Sequence, residues 1–201
     1  MIIHYPRLPQ SLMSEKITKC VNNYENSDID IISCSVGNCD NNLIKTIPNA
    51  KFITEISEKS WINIYKIKYY LLALKESDKK YVLLLDSRDV VVDCTVEEVL
   101  DKFKKFNCDI LISYSDNNRP NLIDENININ SGCIIGNRTE LIKLYQYLYD
   151  NIDIAREKYK LTRYWASDEV AMIAILKGDF ESYGIKIDYN SDIFLTINTN
   201  N

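Results

Sequence analysis

The chain has 201 residues, 46% hydrophobic and 26% charged, with a formal net charge of -5 at pH 7. That make-up fits one globular domain over residues 1–201 and argues against a nucleic-acid surface. No apolar run approaches the roughly 20 residues that span a bilayer. The first residues lack a basic region followed by an apolar one, so no signal peptide and a cytoplasmic location are expected. Its six cysteines form no CxxC pair, which argues against a zinc or redox motif and for reduced thiols.

In chain order, residues 12–25 carry helical spacing, and "DIDIISCSV" (28–36) reads as a buried strand. "NAKFITEI" (49–56) reads as a second strand. From Trp61 to about Lys75, a stripe of Trp61, Ile64, Tyr65, Lys68, Tyr69 and Leu72 predicts a helix. After the polar turn "ESDKK" comes "YVLLLDSRDVVV" (81–92), whose unbroken apolar run predicts a strand buried on both faces of a mostly parallel sheet.

Thr95 and Glu98 make a capping box, with Val99, Leu100, Phe103 and Phe106 following at helical spacing. "CDILISYS" (108–115) predicts another buried strand, and the asparagine-rich residues 116–130 a loop. "GCIIG" (132–136) predicts a short strand, and Asn137 with Glu140 a second capping box for a helix to about Tyr149. Beyond a linker lie a helix at 167–176 and strands near 184–188 and 192–197. Strands alternating with helices predict an α/β class: a mixed, mostly parallel sheet with helices on both faces.

In such sheets ligands bind outside the carboxyl ends of the strands, where Asp86 and Asp89 fall. Two adjacent carboxylates repel unless a cation lies between them, and oxygen ligands of this kind suit Mg²⁺ or Mn²⁺. The other reading makes Asp86 a turn cap and leaves Asp89 in solvent. The spacing differs from the haloacid dehalogenase signature: position 88 is Arg, the second acid is three residues on, and no threonine appears before Thr95. There is no P-loop and no GxGxxG. His4 is the only histidine, which disfavours a Ser-His-Asp or Cys-His site.

Four segments in order resemble the glycosyltransferase domain of the procollagen lysyl hydroxylases and the related collagen glycosyltransferases, enzymes of GT-A type. "LLLDSRDVVV" resembles that family's strand ending in Asp-Ser-Tyr-Asp-Val, and "INSGCIIG" (129–136) its Leu-Asn-Ser-Gly-Gly-Phe-Ile-Gly segment. "SDEVAMIAIL" (167–176) resembles its Asp-Asp-Gln-Leu-Phe helix start, and "IKIDYNSDIFLTIN" (185–198) its Leu-Asp-His tail. The likeness covers about residues 61–198.

The resemblance implies a GT-A-like, Rossmann-like fold and a metal-dependent transfer of a hexose from a UDP-sugar to a hydroxyl acceptor on a protein or glycan. It implies that Asp86 and Asp89 bind Mn²⁺ (or Mg²⁺) and the UDP. Asn130, Ser131 and Gly132 would line the sugar end of the donor pocket, and Asp168 would face the sugar and acceptor. Lys66 matches a lysine on the helix before the metal strand that could reach the diphosphate; a solvated lysine on an amphipathic helix is the other reading.

The sequence departs from the pattern at Arg88, where the family has a tyrosine against the uracil, and at Cys133, which replaces a glycine and would crowd the sugar pocket. Glu169 replaces a glutamine. The family's third metal ligand, a histidine beyond the tail segment, has no counterpart here, and His4 lies at the opposite end of the sequence. A truncated or degenerate copy is therefore the alternative: a non-catalytic module that binds a nucleotide sugar or a partner protein.

Overall fold

The structure is a computed structural model. It describes residues 1–5, 28–34, 43, 46–54, 63–115, 127–158, 167–177 and 179–197. The predicted helix at 12–25 and Trp61 lie outside the described residues, as do Cys20, Cys39 and most of the 116–130 loop.

Nine strands are described: β1 (Ile2–His4), β2 (Ile29–Cys34), β3 (Lys51–Ile53), β4 (Tyr81–Leu85), β5 (Val90–Val92), β6 (Ile110–Tyr114), β7 (Ile129–Asn137), β8 (Ile185–Asp188) and β9 (Phe194–Thr196). Four helices accompany them: α1 (Lys66–Glu76), α2 (Val96–Lys105), α3 (Arg138–Lys158) and α4 (Asp168–Leu176). The large sheet runs β3-β2-β4-β7-β6-β8, with β7 antiparallel to both neighbours and the remaining pairs parallel. The expected mixed, mostly parallel α/β class is what the chain adopts.

Alternation along the strands builds a core on each face of this sheet. Val82, Leu84, Ile110, Ile112 and Ile134 point to the side covered by α1, α3 and α4. Ile29, Ile31, Leu83, Leu85, Leu111 and Ile135 point to the other side, which α2 covers with Val96, Val99, Leu100 and Phe103. Thr95 and Glu98 form the capping box of α2 in both directions. The central strands β4 and β7 are buried on both faces, which is why their sequences read as unbroken apolar runs.

Three expectations need correction. The buried face of α1 is Lys66, Ile67, Tyr69, Tyr70, Leu71 and Leu74, whereas Lys68 is half-buried and Leu72 exposed. This helix packs against both the sheet and α3, so its buried face is broader than one stripe and is centred elsewhere. α3 continues past Tyr149 to Lys158 through a segment whose polar side chains bond within the helix. Gln146 Nε2 donates to Asp150, Asn151 Nδ2 to the Tyr147 carbonyl, and Arg156 pairs with Asp153. Asn137 accepts from the Thr139 amide, but Glu140 holds Lys143 instead of completing a capping box.

The larger surprise is a second sheet. Val90–Val92 is a strand of its own, and β1 lies between it and β9, antiparallel to β5 and parallel to β9. Residues 2–4 thus join residues 90–92 and 194–196. The chain's opening segment, to which the sequence pattern assigns no element, thus supplies a strand to this small sheet and not to the large one.

Candidate metal site

The lip of β4 is held from several sides. The Asp86 amide donates to the Gly132 carbonyl at 2.8 Å, tying the lip to β7. Tyr70 Oη on α1 donates to the Leu85 carbonyl at 3.1 Å. The Tyr5 amide donates to the Asp89 carbonyl at 2.8 Å, and β1 pairs His4 with Val90. The chain therefore crosses from the large sheet to the small one through Ser87–Asp89, with β1 alongside the crossing.

This brings His4 to the two aspartates. Its Nε2 is 3.3 Å from Asp89 Oδ1 and 3.9 Å from Asp86 Oδ2. One ligand atom from each of His4, Asp86 and Asp89 lies within 4.8 Å of the others, the group among the described residues that could hold a metal ion. The expectation that His4 sits at the wrong end is overturned: distance in sequence is cancelled by the pairing of β1 with β5.

The His4 ring is 4% exposed, and neither nitrogen has a hydrogen-bond partner; Nε2 comes close to Asp89 without the geometry of a bond. An orphaned buried imidazole beside two carboxylates is the condition a cation would satisfy. The donor set of one imidazole nitrogen and two carboxylate oxygens suits Mn²⁺ and leaves positions open for substrate oxygens and water.

Gly132 is needed for this packing. A Cβ there would lie 2.8 Å from His4 Cε1, 2.8 Å from Asn130 Oδ1 and 2.9 Å from Asp86 Oδ2. Asn130 Oδ1 accepts from the Gly132 amide at 2.7 Å, so Asn130 holds the backbone that walls the cluster. Ser131 is buried beside it. Cys133 is fully buried in the core under the small sheet, so it does not line an open pocket. Arg88 is exposed on the turn between the two aspartates.

On the helical side, Lys66 is buried and not solvated. Its Nζ is 2.9 Å from Asp86 Oδ1 and 3.1 Å from Asp168 Oδ2. Asp168 is brought there as the first residue of α4, whose N-cap Ser167 accepts from the Val170 amide. Asp86 thus divides its oxygens, Oδ1 toward Lys66 and Oδ2 toward His4.

The electrostatics follow from these contacts. Burial alone would push His4 down, but Asp89 and then Asp86 outweigh it and hold the imidazole above its ordinary value. Burial would also lower Lys66, yet Asp168 and Asp86 raise it well above the usual lysine range. For Asp86, burial acts upward and is overcome by Lys66 and His4, leaving the carboxyl below its ordinary value. Asp86 and Asp168 share the single charge of Lys66, and Asp89 adds a third carboxylate on the His4 side, a density of acids that suits a divalent ion.

All eight residues singled out from the sequence fall within the described chain, and Lys66, Asp86, Asp89, Asn130, Gly132 and Asp168 converge on this edge. His4 is the one sequence reasoning missed. The signal available was that it is the single histidine in the chain and closes a short apolar run.

No family model and no curated protein matches the sequence. Among solved structures, the chain is similar to a glycosyltransferase involved in the glycosylation of the major capsid of PBCV-1, with TM-score 0.48 and 12% identity. That likeness covers 79% of this chain and 80% of that one. It is also similar to A197 from STIV, with TM-score 0.38 and 18% identity over 57% of this chain and 67% of that chain. At these scores the reading of the site rests on its own residues. Among the described residues, no helix is long and apolar enough to cross a membrane.

Proposed function

We propose that this chain is a metal-dependent glycosyltransferase of GT-A type that moves a hexose from a UDP-sugar to a hydroxyl acceptor on a protein or glycan. The observation that carries this is the meeting of Asp86, Asp89 and the orphaned ring of His4 at the carboxyl edge of the sheet. His4, Asp86 and Asp89 hold Mn²⁺, with Mg²⁺ weaker because an imidazole donor favours the transition ion. His4 stands in for the histidine that the collagen-modifying relatives carry beyond their tail segment. When bound, the ion neutralises charge on the departing diphosphate as a Lewis acid.

The remaining roles belong to the chain's own side chains. Arg88 stacks its guanidinium on the planar base, in place of the family's tyrosine. Gly132 leaves room for the cluster, and Asn130 and Ser131 form the sugar side of the donor pocket. Asp168 orients the sugar or takes the proton of the acceptor hydroxyl. Lys66 balances the acids around it, and in this reading its charge also favours the diphosphate.

The test is thermal stabilisation by UDP with and without Mn²⁺, followed by UDP release from several sugar donors. Stabilisation that needs both ligands, together with release, is the expected result. Stabilisation without release would instead favour a non-catalytic module that binds the nucleotide sugar. No stabilisation under either condition overturns both readings.

A further inference from the structure

The ammonium of Lys66 is almost enclosed, with 7% of its side chain exposed, and it holds two carboxylates from distant parts of the chain. One is Asp86, whose other oxygen faces the cation cluster. The second is Asp168, which lies outside that cluster. Among the described residues, Lys66 is the cation in contact with both Asp86 and Asp168, and like charges brought together at a largely dry site push apart without a cation between them.

Resting on the metal reading above, we propose that Lys66 is a positioning residue that couples the cation site to Asp168. It holds Asp168 beside the metal ligand Asp86, and it divides one positive charge between the two. Cation affinity then depends on Asp168, although Asp168 is not a ligand. When Asp168 is neutralised, Lys66 turns its whole charge on Asp86 and competes with the metal for that carboxylate. When Lys66 is removed, the competition ends, and Asp168 drifts from Asp86 because nothing holds two like charges together.

The experiment is a double-mutant cycle read by titration of Mn²⁺ alone, with no sugar donor, into the wild-type chain, Lys66→Met, Asp168→Asn and the double variant. Lys66→Met is expected to bind Mn²⁺ about tenfold more tightly, since a nearby positive charge has gone. Asp168→Asn is expected to weaken binding by roughly fivefold in the wild-type background and by less than about twofold beside Lys66→Met. An Asp168→Asn effect of equal size in both backgrounds overturns the coupling, as does weaker binding by a folded Lys66→Met. If Lys66→Met does not fold, Asp168→Asn decides alone, and unchanged Mn²⁺ affinity overturns the proposal. A wild-type chain that binds no Mn²⁺ overturns the metal reading and the coupling together. Binding by the wild type with additive variants overturns the coupling only.

Discussion

Two aspartates end strands at the same edge of the large sheet, Asp86 after β4 and Asp188 on β8, and they are used in opposite ways. Asp188 is fully buried and accepts from three main-chain amides, those of Asp192, Ile193 and Phe194, at 2.9, 2.9 and 2.8 Å. Its oxygens are consumed in closing the turn from β8 into β9. Among the described residues, no main-chain amide donates to the Asp86 side chain; Lys66 and His4 face its two oxygens, and 28% of that side chain stays exposed. A carboxylate satisfied by the backbone holds a fold together. One balanced by side-chain charges keeps capacity for a ligand. The local sequences, "LLLDSRD" and "IKIDYNSD", do not distinguish the two.

Replacing Asp188 with alanine should break this contrast from the structural side. Losing three charge-assisted bonds at a buried turn is expected to cost about 3 kcal/mol or more in urea unfolding, while the folded fraction keeps its Mn²⁺ affinity. Asp86→Ala should do the reverse, abolishing Mn²⁺ binding at a smaller cost in stability. Equal effects of the two on metal binding would erase the distinction.

Gly132→Ala tests the packing of the cluster. The new methyl meets His4 and Asp86, so a stability loss of about 1–3 kcal/mol and at least a tenfold loss of Mn²⁺ affinity are expected.

His4→Gln sharpens the comparison through pH. The raised value of His4 means that the folded metal-free chain binds its proton more tightly than the unfolded one. The stability so gained is fully present below the unfolded value of about 6.5 and is lost as pH rises through the higher folded value. Urea unfolding between pH 5.5 and 8.5, a window set around that value of about 6.5, should show this slope in the wild type and a flatter line in His4→Gln. Metal binding should strengthen over the same rise, because the ligand is the neutral ring.

The smallest effect belongs to Thr95→Ala, far from both acids. It removes the capping box of α2 and should cost about 1 kcal/mol with Mn²⁺ affinity unchanged.

Much of the fold was legible locally. The apolar run of β4 announced a doubly covered strand, and Thr95 with Glu98 announced the start of α2. Asp86 and Asp89 were placed at the carboxyl edge by the same pattern. Lys66 was harder to read. Its helix was visible, but the stripe through Lys68 and Leu72 mis-set the buried face, since α1 packs on two neighbours at once. Val90–Val92 received no strand of its own in the sequence reading, because three apolar residues carry no mark of the sheet they will join.

By itself the sequence determined most strands of the large sheet and the helices that cover it, and which acids emerge at its carboxyl edge, because apolar periodicity and caps act over a few residues. Only the tertiary structure decided that His4 joins Asp86 and Asp89, and that Lys66 bridges Asp86 to Asp168. Those meetings depend on strand pairing and helix packing between distant segments. Their charges acquire meaning only once burial removes the water that would otherwise screen them.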